Sequence, residues 1–232
     1  MLIFSLVTSV APSAFAVVAD QVDVWFASGC FWGRQHDLIA WEQTALNRSD
    51  SEVTTIGGYA GGAHTGAGGI VCYHNAANTS DYALLGHAEA VGLSVPAQAL
   101  EQAAHVYFRS FIVLPGTPTP IREDYFDQGP GYRASVGLPG GMDSPLIGSL
   151  RRAAAARNIT LRRGAGSDAD TLGTGSVWVV DSGKFALHQA ELCLQFHNNQ
   201  TGTYPESYHH IKDVMLASGR LKPSGCPPNY VC

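Results

Sequence analysis

The chain alternates between strand-like and helix-like hydrophobic patterns along most of its length. Residues 21–28, QVDVWFAS, alternate as a strand does, and residues 30–46, CFWGRQHDLIAWEQTAL, carry apolar residues at helical spacing. Further strands are predicted at EVTTIGGYAGG, HAEAVGLSV, YRASVGL and GSVWVVD, and further helices at PAQALEQAAHVYFRSFI, SPLIGSLRRAAAARN and KFALHQAELCLQFHNN. This interleaving indicates an α/β fold. The arrangement we expect is an α+β two-layer sandwich, in which helices cover a mixed sheet.

The chain's length and composition predict one domain between a leader and a tail. Its 232 residues, 45% of them hydrophobic, can bury one sizeable core. Residues 1–16 are apolar and end in Ala-Phe-Ala, which is typical of a signal peptide, although the basic start of such a peptide is missing. We expect a domain at 22–215 and an irregular, proline-rich and glycine-rich tail at 216–232. A functional leader would make the protein secreted or lumenal, and otherwise it would be cytoplasmic or organellar.

The charge pattern excludes several classes of partner. The net charge is -5, and the basic residues form pairs rather than long runs, so we expect no binding to nucleic acid. The leader is too short for a lasting membrane span, so we expect no membrane attachment of the mature, monomeric protein. The sequence has neither an HExxH nor a CxxC motif, and its glycine-rich stretches lack the end of a phosphate loop, so we expect neither a metal nor an organic cofactor.

The five cysteines are an odd number, which leaves at least one outside any closed set of disulfides. Cys30 is predicted at a strand-to-helix turn, where the N–H groups of a helix N-terminus would lower its thiol pKa. Phe31 and Trp32 directly after it could form a small apolar pocket. The alternative is a packed strand-end thiol beside core aromatics, and Cys72 and Cys193 are interpreted as buried small hydrophobic residues.

Four motifs, GCFWG, GGYAGG, GHAEAV and FDQGPGYRAS, together resemble the A-type peptide methionine sulfoxide reductases. They occur in the family's order and at similar distances, and the resemblance runs from about Val24 to Cys232. It implies a peptide-methionine (S)-S-oxide reductase that acts on free or protein-bound methionine sulfoxide. It also implies an enzyme without a metal or organic cofactor, recycled by an external dithiol such as a thioredoxin-like protein.

The resemblance assigns the central chemistry to the first and third motifs. Cys30 would attack the sulfoxide sulfur, while Phe31 and Trp32 would enclose the substrate's methyl group. Glu89 would be the acid. This agrees with the chemistry, since a sulfoxide oxygen leaves only after protonation, and burial can keep a carboxylic acid neutral. The alternative for Glu89 is a solvent-facing strand residue.

The resemblance assigns the sulfoxide oxygen to two tyrosines, Tyr59 and Tyr132. Phenol hydroxyls could donate hydrogen bonds as negative charge develops on that oxygen. Asp127, five residues before Tyr132, matches the family's aspartate. Taken singly, Tyr59 could equally be a turn aromatic and Tyr132 a core residue with its hydroxyl at the rim.

The tail cysteines would return the enzyme to its thiol form. After attack Cys30 is a sulfenic acid, which Cys226 could resolve as a disulfide. Cys232 could then carry that disulfide outward to the reductant. The alternative is a static disulfide between Cys226 and Cys232.

Two stretches depart from the family pattern. Pro130-Gly131 precede Tyr132 where Thr-Gln is usual, and AELCLQFH places Cys193 and Leu194 where Tyr and His are usual, while it keeps Glu191 and Gln195. Both changes could weaken activity. A non-catalytic secreted binding domain with structural disulfides is therefore the second hypothesis. A thiol peroxidase is the third, but a peroxide needs no methyl pocket.

Overall fold

The computed structural model describes residues 20–197 and 202–228. The helices are α1 (Phe31–Ala45), α2 (Leu100–Phe108), α3 (Ile147–Ala155) and α4 (Glu206–Ala217). The strands are β1 (Gln21–Ala27), β2 (Ile56–Ala60), β3 (Ala88–Pro96), β4 (Phe111–Ile112), β5 (Ile121–Arg122), β6 (Ser135–Leu138), β7 (Thr160–Arg163), β8 (Ser176–Asp181) and β9 (His188–Gln189). The leader at 1–16 and Cys232 lie outside the described residues.

Seven of these strands form one mixed sheet in the order β7-β8-β6-β1-β3-β2-β9. β1 pairs antiparallel with β3 and β6, whereas β6, β8 and β7 are parallel neighbours. β4 and β5 form a separate antiparallel pair. The predicted α/β class with a mixed sheet is confirmed. In the described ranges no helix is long and apolar enough to cross a membrane.

The main core lies between the sheet and the helices. Neighbouring residues of β1 point to opposite faces of the sheet, as the pleat requires. Phe26 belongs to the large cluster under the helices and stacks on Tyr107 of α2, with ring centroids 5.0 Å apart. Trp25 faces the other side, where its indole N–H donates to the Phe185 carbonyl at 2.9 Å. The β1 end that carries Cys30 is therefore anchored on both faces.

The C-terminal part differs from the sequence prediction. The helix predicted at 184–199 is wrong, because the segment forms β9 and a distorted 3₁₀ turn, Leu192–His197. Phe196 and His197 have φ values of +57° and +51°, in the left-handed region that ends a helix. The prediction also missed β7, an edge strand of sequence TLRR, and the helix α4. Residues 218–228 contain neither helix nor strand, and the predicted domain boundaries stay predictions.

Candidate functional site

Cys30 occupies the position just before α1, at the turn that the sequence predicts. Gly29 makes this turn with a φ of +66°, and a Cβ there would lie 2.5 Å from Asp124 Oδ2. The Gly29 N–H donates to the Tyr132 carbonyl at 3.1 Å, and the Cys30 N–H donates to Asp124 Oδ2 at 2.6 Å. Cys30 is half-buried and is the free cysteine of the described part of the chain. The turn thus collects groups from three segments around one thiol.

Glu89 reaches this turn from β3. Its side chain is buried, and its Oε2 accepts the Phe31 N–H at 3.0 Å. Burial, with smaller contributions from the negative charges of Asp127 and Asp124, raises the pKa of Glu89 to about 8 against the lowering effect of the Phe31 N–H. Glu89 is 3% exposed, which contradicts the solvent-facing alternative. At neutral pH this carboxyl is mostly protonated.

The Cys30 thiol is not activated in the way that the sequence pattern suggests. Burial raises its pKa well above the usual value, and the Glu89 carboxylate adds to this rise. The Trp32 N–H at the start of the helix lowers the pKa, but its effect is smaller. The predicted lowering of the thiol pKa is therefore wrong, because the burial of the thiol, together with the Glu89 charge, outweighs the helix N-terminus. The resting site holds a protonated thiol beside a protonated acid.

Phe31 and Trp32 form an aromatic wall directly after the cysteine. Their rings are nearly parallel, with centroids 6.3 Å apart and an interplanar angle of 16°. Phe31 is buried in the main core, and Trp32 is half-buried. The Trp32 indole N–H donates to the Leu194 carbonyl at 2.7 Å, and its ring meets the His197 ring edge-on. The indole is therefore fixed in orientation beside the thiol.

Tyr59 and Tyr132 differ in burial and in their hydrogen-bond partners. Tyr59 is fully buried, and its hydroxyl donates to Glu191 Oε2 at 2.8 Å, so its donor is already occupied. Tyr132 is half-buried, and its main chain is bonded to the Gly29 turn. Burial raises the pKa of Tyr132, and the nearby charges of Glu89, Asp127 and Cys30 contribute, which puts its phenol beside the acid and the thiol.

Two further tyrosines, Tyr73 and Tyr82, lie beside Tyr132. Burial raises the pKa of both phenols, with Glu89 as the next cause and Tyr132 as a neighbour of each. The Tyr82 hydroxyl is buried and lies beside the Tyr132 phenol. Tyr82 stacks on Tyr59 at 4.7 Å between ring centroids. The sequence motifs gave no weight to these two residues, although the CYH and SDY segments lie in the same loop.

Asp124, rather than Asp127, makes the direct contact with the cysteine. Asp127 is half-buried, and burial together with the Asp124 charge raises its pKa. The family's spacing, five residues before Tyr132, selects Asp127 and therefore does not indicate Asp124, three residues earlier. Both carboxyl groups raise the pKa of Glu89, so both lie near the acid.

Pro130-Gly131 do not remove Tyr132 from the site. Pro130–Tyr132 forms one 3₁₀ turn, and the Tyr132 N–H donates to the Gly129 carbonyl at 3.0 Å. Gly131 packs against Tyr82, where a Cβ would lie 3.3 Å from Cε2 of the ring. The small residue lets the two tyrosine loops meet.

Cys226 forms a disulfide with Cys72, with a Cα–Cα distance of 5.7 Å. The static alternative, a Cys226–Cys232 disulfide, is therefore wrong, whereas the predicted resolving role of Cys226 toward Cys30 stays a prediction. Cys193 is also disulfide-bonded, so the interpretation of Cys72 and Cys193 as simple hydrophobic residues is wrong. The cause is the tail, which returns across the fold and places the Cys226 sulfur 3.6 Å from the Val71 carbonyl.

Glu191 and Gln195, which AELCLQFH keeps, have structural partners. Glu191 accepts the Tyr73 N–H at 2.8 Å in addition to the Tyr59 hydroxyl, and Gln195 bonds to both the N–H and the carbonyl of Gly57. A Glu191 oxygen lies within 4.8 Å of both sulfurs of the Cys72–Cys226 disulfide. The disulfide removes the two thiolates that a metal ion would need there.

Sixteen chains among the solved structures match this chain, and they include the following two. Methionine sulfoxide reductase A of Corynebacterium diphtheriae is 16% identical with a TM-score of 0.45, over 82% of this chain and 80% of that one. Mxr1 from Saccharomyces cerevisiae, in an unusual oxidized form, is 15% identical with a TM-score of 0.34, over 72% and 78%. No protein-family model and no curated protein matches the chain. Both TM-scores lie below 0.5, so the function must be derived from the site's own atoms.

Proposed function

We propose that the chain is a peptide-methionine (S)-S-oxide reductase, which reduces free or protein-bound methionine-S-sulfoxide through Cys30. The observation that carries this proposal is the buried Glu89, whose raised pKa keeps a proton beside a free thiol. Perturbed acids next to a nucleophile in a small site are typical of catalysis. A domain that only bound a partner would gain nothing from this pairing.

The reaction moves one oxygen atom from the substrate sulfur to the enzyme. Glu89 donates its proton to the sulfoxide oxygen and then accepts the proton of the Cys30 thiol. The Cys30 sulfur attacks the substrate sulfur and forms an S–S bond, and the S–O bond breaks as the protonated oxygen leaves. That oxygen then adds to the Cys30 sulfur, which breaks the S–S bond and releases methionine. The balance is Cys–SH plus sulfoxide to Cys–SOH plus methionine, with Glu89 protonated again from the released thiol proton.

The surrounding side chains support this step. Tyr132 offers a phenol donor beside the acid, and the buried hydroxyl of Tyr82 next to it gives a second donor for the sulfoxide oxygen. Phe31 and Trp32 would hold the substrate methyl group. An aromatic wall on one side of the sulfur and donors on the other would accept one epimer and reject the other, in which the positions of the oxygen and the lone pair are exchanged.

Regeneration needs an external dithiol, for which we propose a thioredoxin-like reductant. Cys226 can resolve the Cys30 sulfenic acid only as a thiol, so the reductant must first open the Cys72–Cys226 disulfide. Cys232 could then take part in relaying the oxidation outward. We propose a monomer that repairs oxidised proteins under oxidative stress and is secreted or lumenal if residues 1–16 act as a signal peptide.

The Cys72–Cys226 disulfide also favours a second candidate, a non-catalytic secreted binding domain. Its structural disulfide would hold the tail on the fold, and Cys30 would be a packed thiol.

A single-turnover assay separates the two candidates. The protein would be fully reduced and freed of reductant, then mixed with each epimer of a methionine sulfoxide peptide, with Cys30→Ser and Cys193→Ser as variant and matched control. We expect loss of the S epimer only, at about one methionine per protein or more, in the wild type and Cys193→Ser but not in Cys30→Ser. Absence of methionine with the wild type would refute the reductase and favour the binding domain.

A further inference from the structure

The loop between β5 and Tyr132 displays an aromatic pair to solvent. Phe126 is 81% exposed, and its ring lies against Tyr125 with centroids 4.5 Å apart. Large apolar side chains this exposed and this near a candidate site often mark a binding surface. Phe126 therefore needs an explanation that core packing does not supply.

Residues at the base of this loop hold the Tyr125-Phe126 segment in place. Arg122 is 1% exposed, and its guanidinium donates to the main-chain carbonyls of Asp124 and Asp127 on either side of the aromatic pair. It also forms an ion pair with Asp170 at 2.7 Å, and Asp170 accepts the Gly129 N–H at 2.9 Å. A buried charge held by this many partners resists rearrangement. Phe126 is thus presented by a braced loop.

The same loop is continuous with the cysteine site. Asp124, which accepts the Cys30 N–H at 2.6 Å, stands two residues before Phe126. A second exposed apolar side chain, Leu84 at 73% exposure, stands two residues after Tyr82. Its loop packs against Gly131, where a Cβ would lie 3.5 Å from that of Ala83. Two apolar side chains therefore project from the two loops that carry Asp124 and Tyr82.

We propose that Phe126, Tyr125 and Leu84 form a docking surface for the polypeptide on which the oxidised methionine is carried. This inference rests on the proposed function. The occupant is an extended segment with an apolar residue next to the methionine sulfoxide, as an unfolded protein exposes. Free methionine sulfoxide has no neighbouring side chain that could reach the loops, so the surface would select protein-bound substrate.

The test compares two substrates by single-turnover second-order rate constants without added reductant. The substrates are N-acetyl methionine sulfoxide and a peptide with leucine on both sides of the methionine sulfoxide. The variants are Phe126→Ala and Leu84→Ala, and the control is Val113→Ala, a 59% exposed residue at the opposite end of the β4–β5 hairpin. All three residues are exposed, so the variants should fold.

We expect Phe126→Ala to lower the peptide rate constant about tenfold and Leu84→Ala to lower it less, because truncating an apolar anchor removes its buried contact area. N-acetyl methionine sulfoxide should react at an unchanged rate with both, and Val113→Ala should match the wild type on both substrates. Unchanged peptide rates, or an equal loss on both substrates, would overturn the docking surface and leave the reductase standing. Failure of the wild type with both substrates would refute the reductase itself.

Discussion

The two ends of α1 each hold a buried glutamate in a different environment. At the C-terminal end, Glu42 is fully buried and accepts hydrogen bonds from the N–H and hydroxyl groups of Thr54 and Thr55, as well as an ion pair from Arg48. At the N-terminal end, Glu89 accepts the Phe31 N–H and faces further carboxyl groups.

This difference separates a structural carboxylate from a chemical one. Four donors and a cation satisfy the oxygens of Glu42 inside the protein and tie α1 to the segment before β2. Glu89 has too few donors to offset its burial, so it retains a proton to a pKa of about 8. A proton held near neutral pH can be delivered to a substrate. Glu42 therefore stabilises the C-terminal end of α1, whereas Glu89 carries a transferable proton at the N-terminal end.

The largest effect should come from Glu89→Gln. This variant keeps the size and the polar side chain but removes the transferable proton. We expect the single-turnover rate constant with a methionine-S-sulfoxide peptide to fall by about a hundredfold or more, a typical contribution of general acid catalysis. The thermal midpoint should stay close to that of the wild type. A wild-type rate would show that the acid is another group.

The matched change at the other end of the helix, Glu42→Gln, should have the opposite profile. It removes the charge that pairs with Arg48, and breaking such a buried pair costs about 3 kcal/mol of unfolding free energy. Urea unfolding followed by circular dichroism would measure this loss. We expect the turnover rate of the folded protein to stay near wild type. A large rate loss in the folded variant would contradict the purely structural role of Glu42.

The pH profile should expose the acid directly. The Glu89 pKa is raised to about 8, so the required protonated form is complete below that pH and is lost as pH rises through it. We therefore expect the wild-type single-turnover rate to be flat up to about pH 8 and then to fall about tenfold per pH unit, as for one essential acid. A rate that rises through this range would mean that thiol ionisation, not the acid, limits the reaction.

The smallest effect should come from Asp124→Asn. The amide oxygen can still accept the Cys30 N–H, but the charge that raises the Glu89 pKa is gone. The falling limb of the pH profile should move to lower pH by less than about one unit, since Asp124 is a lesser cause than burial. An unmoved limb would show that Asp124 does not act on Glu89.

The N-terminal half of the site could be predicted from the sequence because its signals are local. The β1 alternation, the glycine before Cys30 and the helical spacing after it all concern neighbouring residues. Glu89 was selected by the motif resemblance, because the β3 pattern alone also allows a solvent-facing residue. The raised Cys30 pKa could not be predicted, because it depends on burial of the thiol by the fold and on carboxyl groups 59 and 94 residues away in the chain, Glu89 and Asp124.

The C-terminal half of the site could be predicted less well, because its geometry depends on contacts between residues far apart in the sequence. Residues 184–197 have apolar side chains at helical spacing, but tertiary contacts override that local preference. Leu194 packs into the main core, whereas Phe196 packs against α4 in a second cluster. The Cys72–Cys226 pairing spans 154 residues, and the connectivity of cysteines cannot be read from their spacing. Tyr73 and Tyr82 were missed because their proximity to Tyr132 depends on how two loops pack.

The most direct test of the central claim is an infrared titration of the fully folded protein, wild type against Glu89→Gln. A protonated carboxyl group absorbs at its own C=O stretch, and an ionised one does not. We predict a band that persists at neutral pH, disappears with a midpoint near pH 8, and is missing from Glu89→Gln. A wild-type spectrum identical to that of Glu89→Gln at neutral pH would contradict the account, because Glu89 would then have no proton to give.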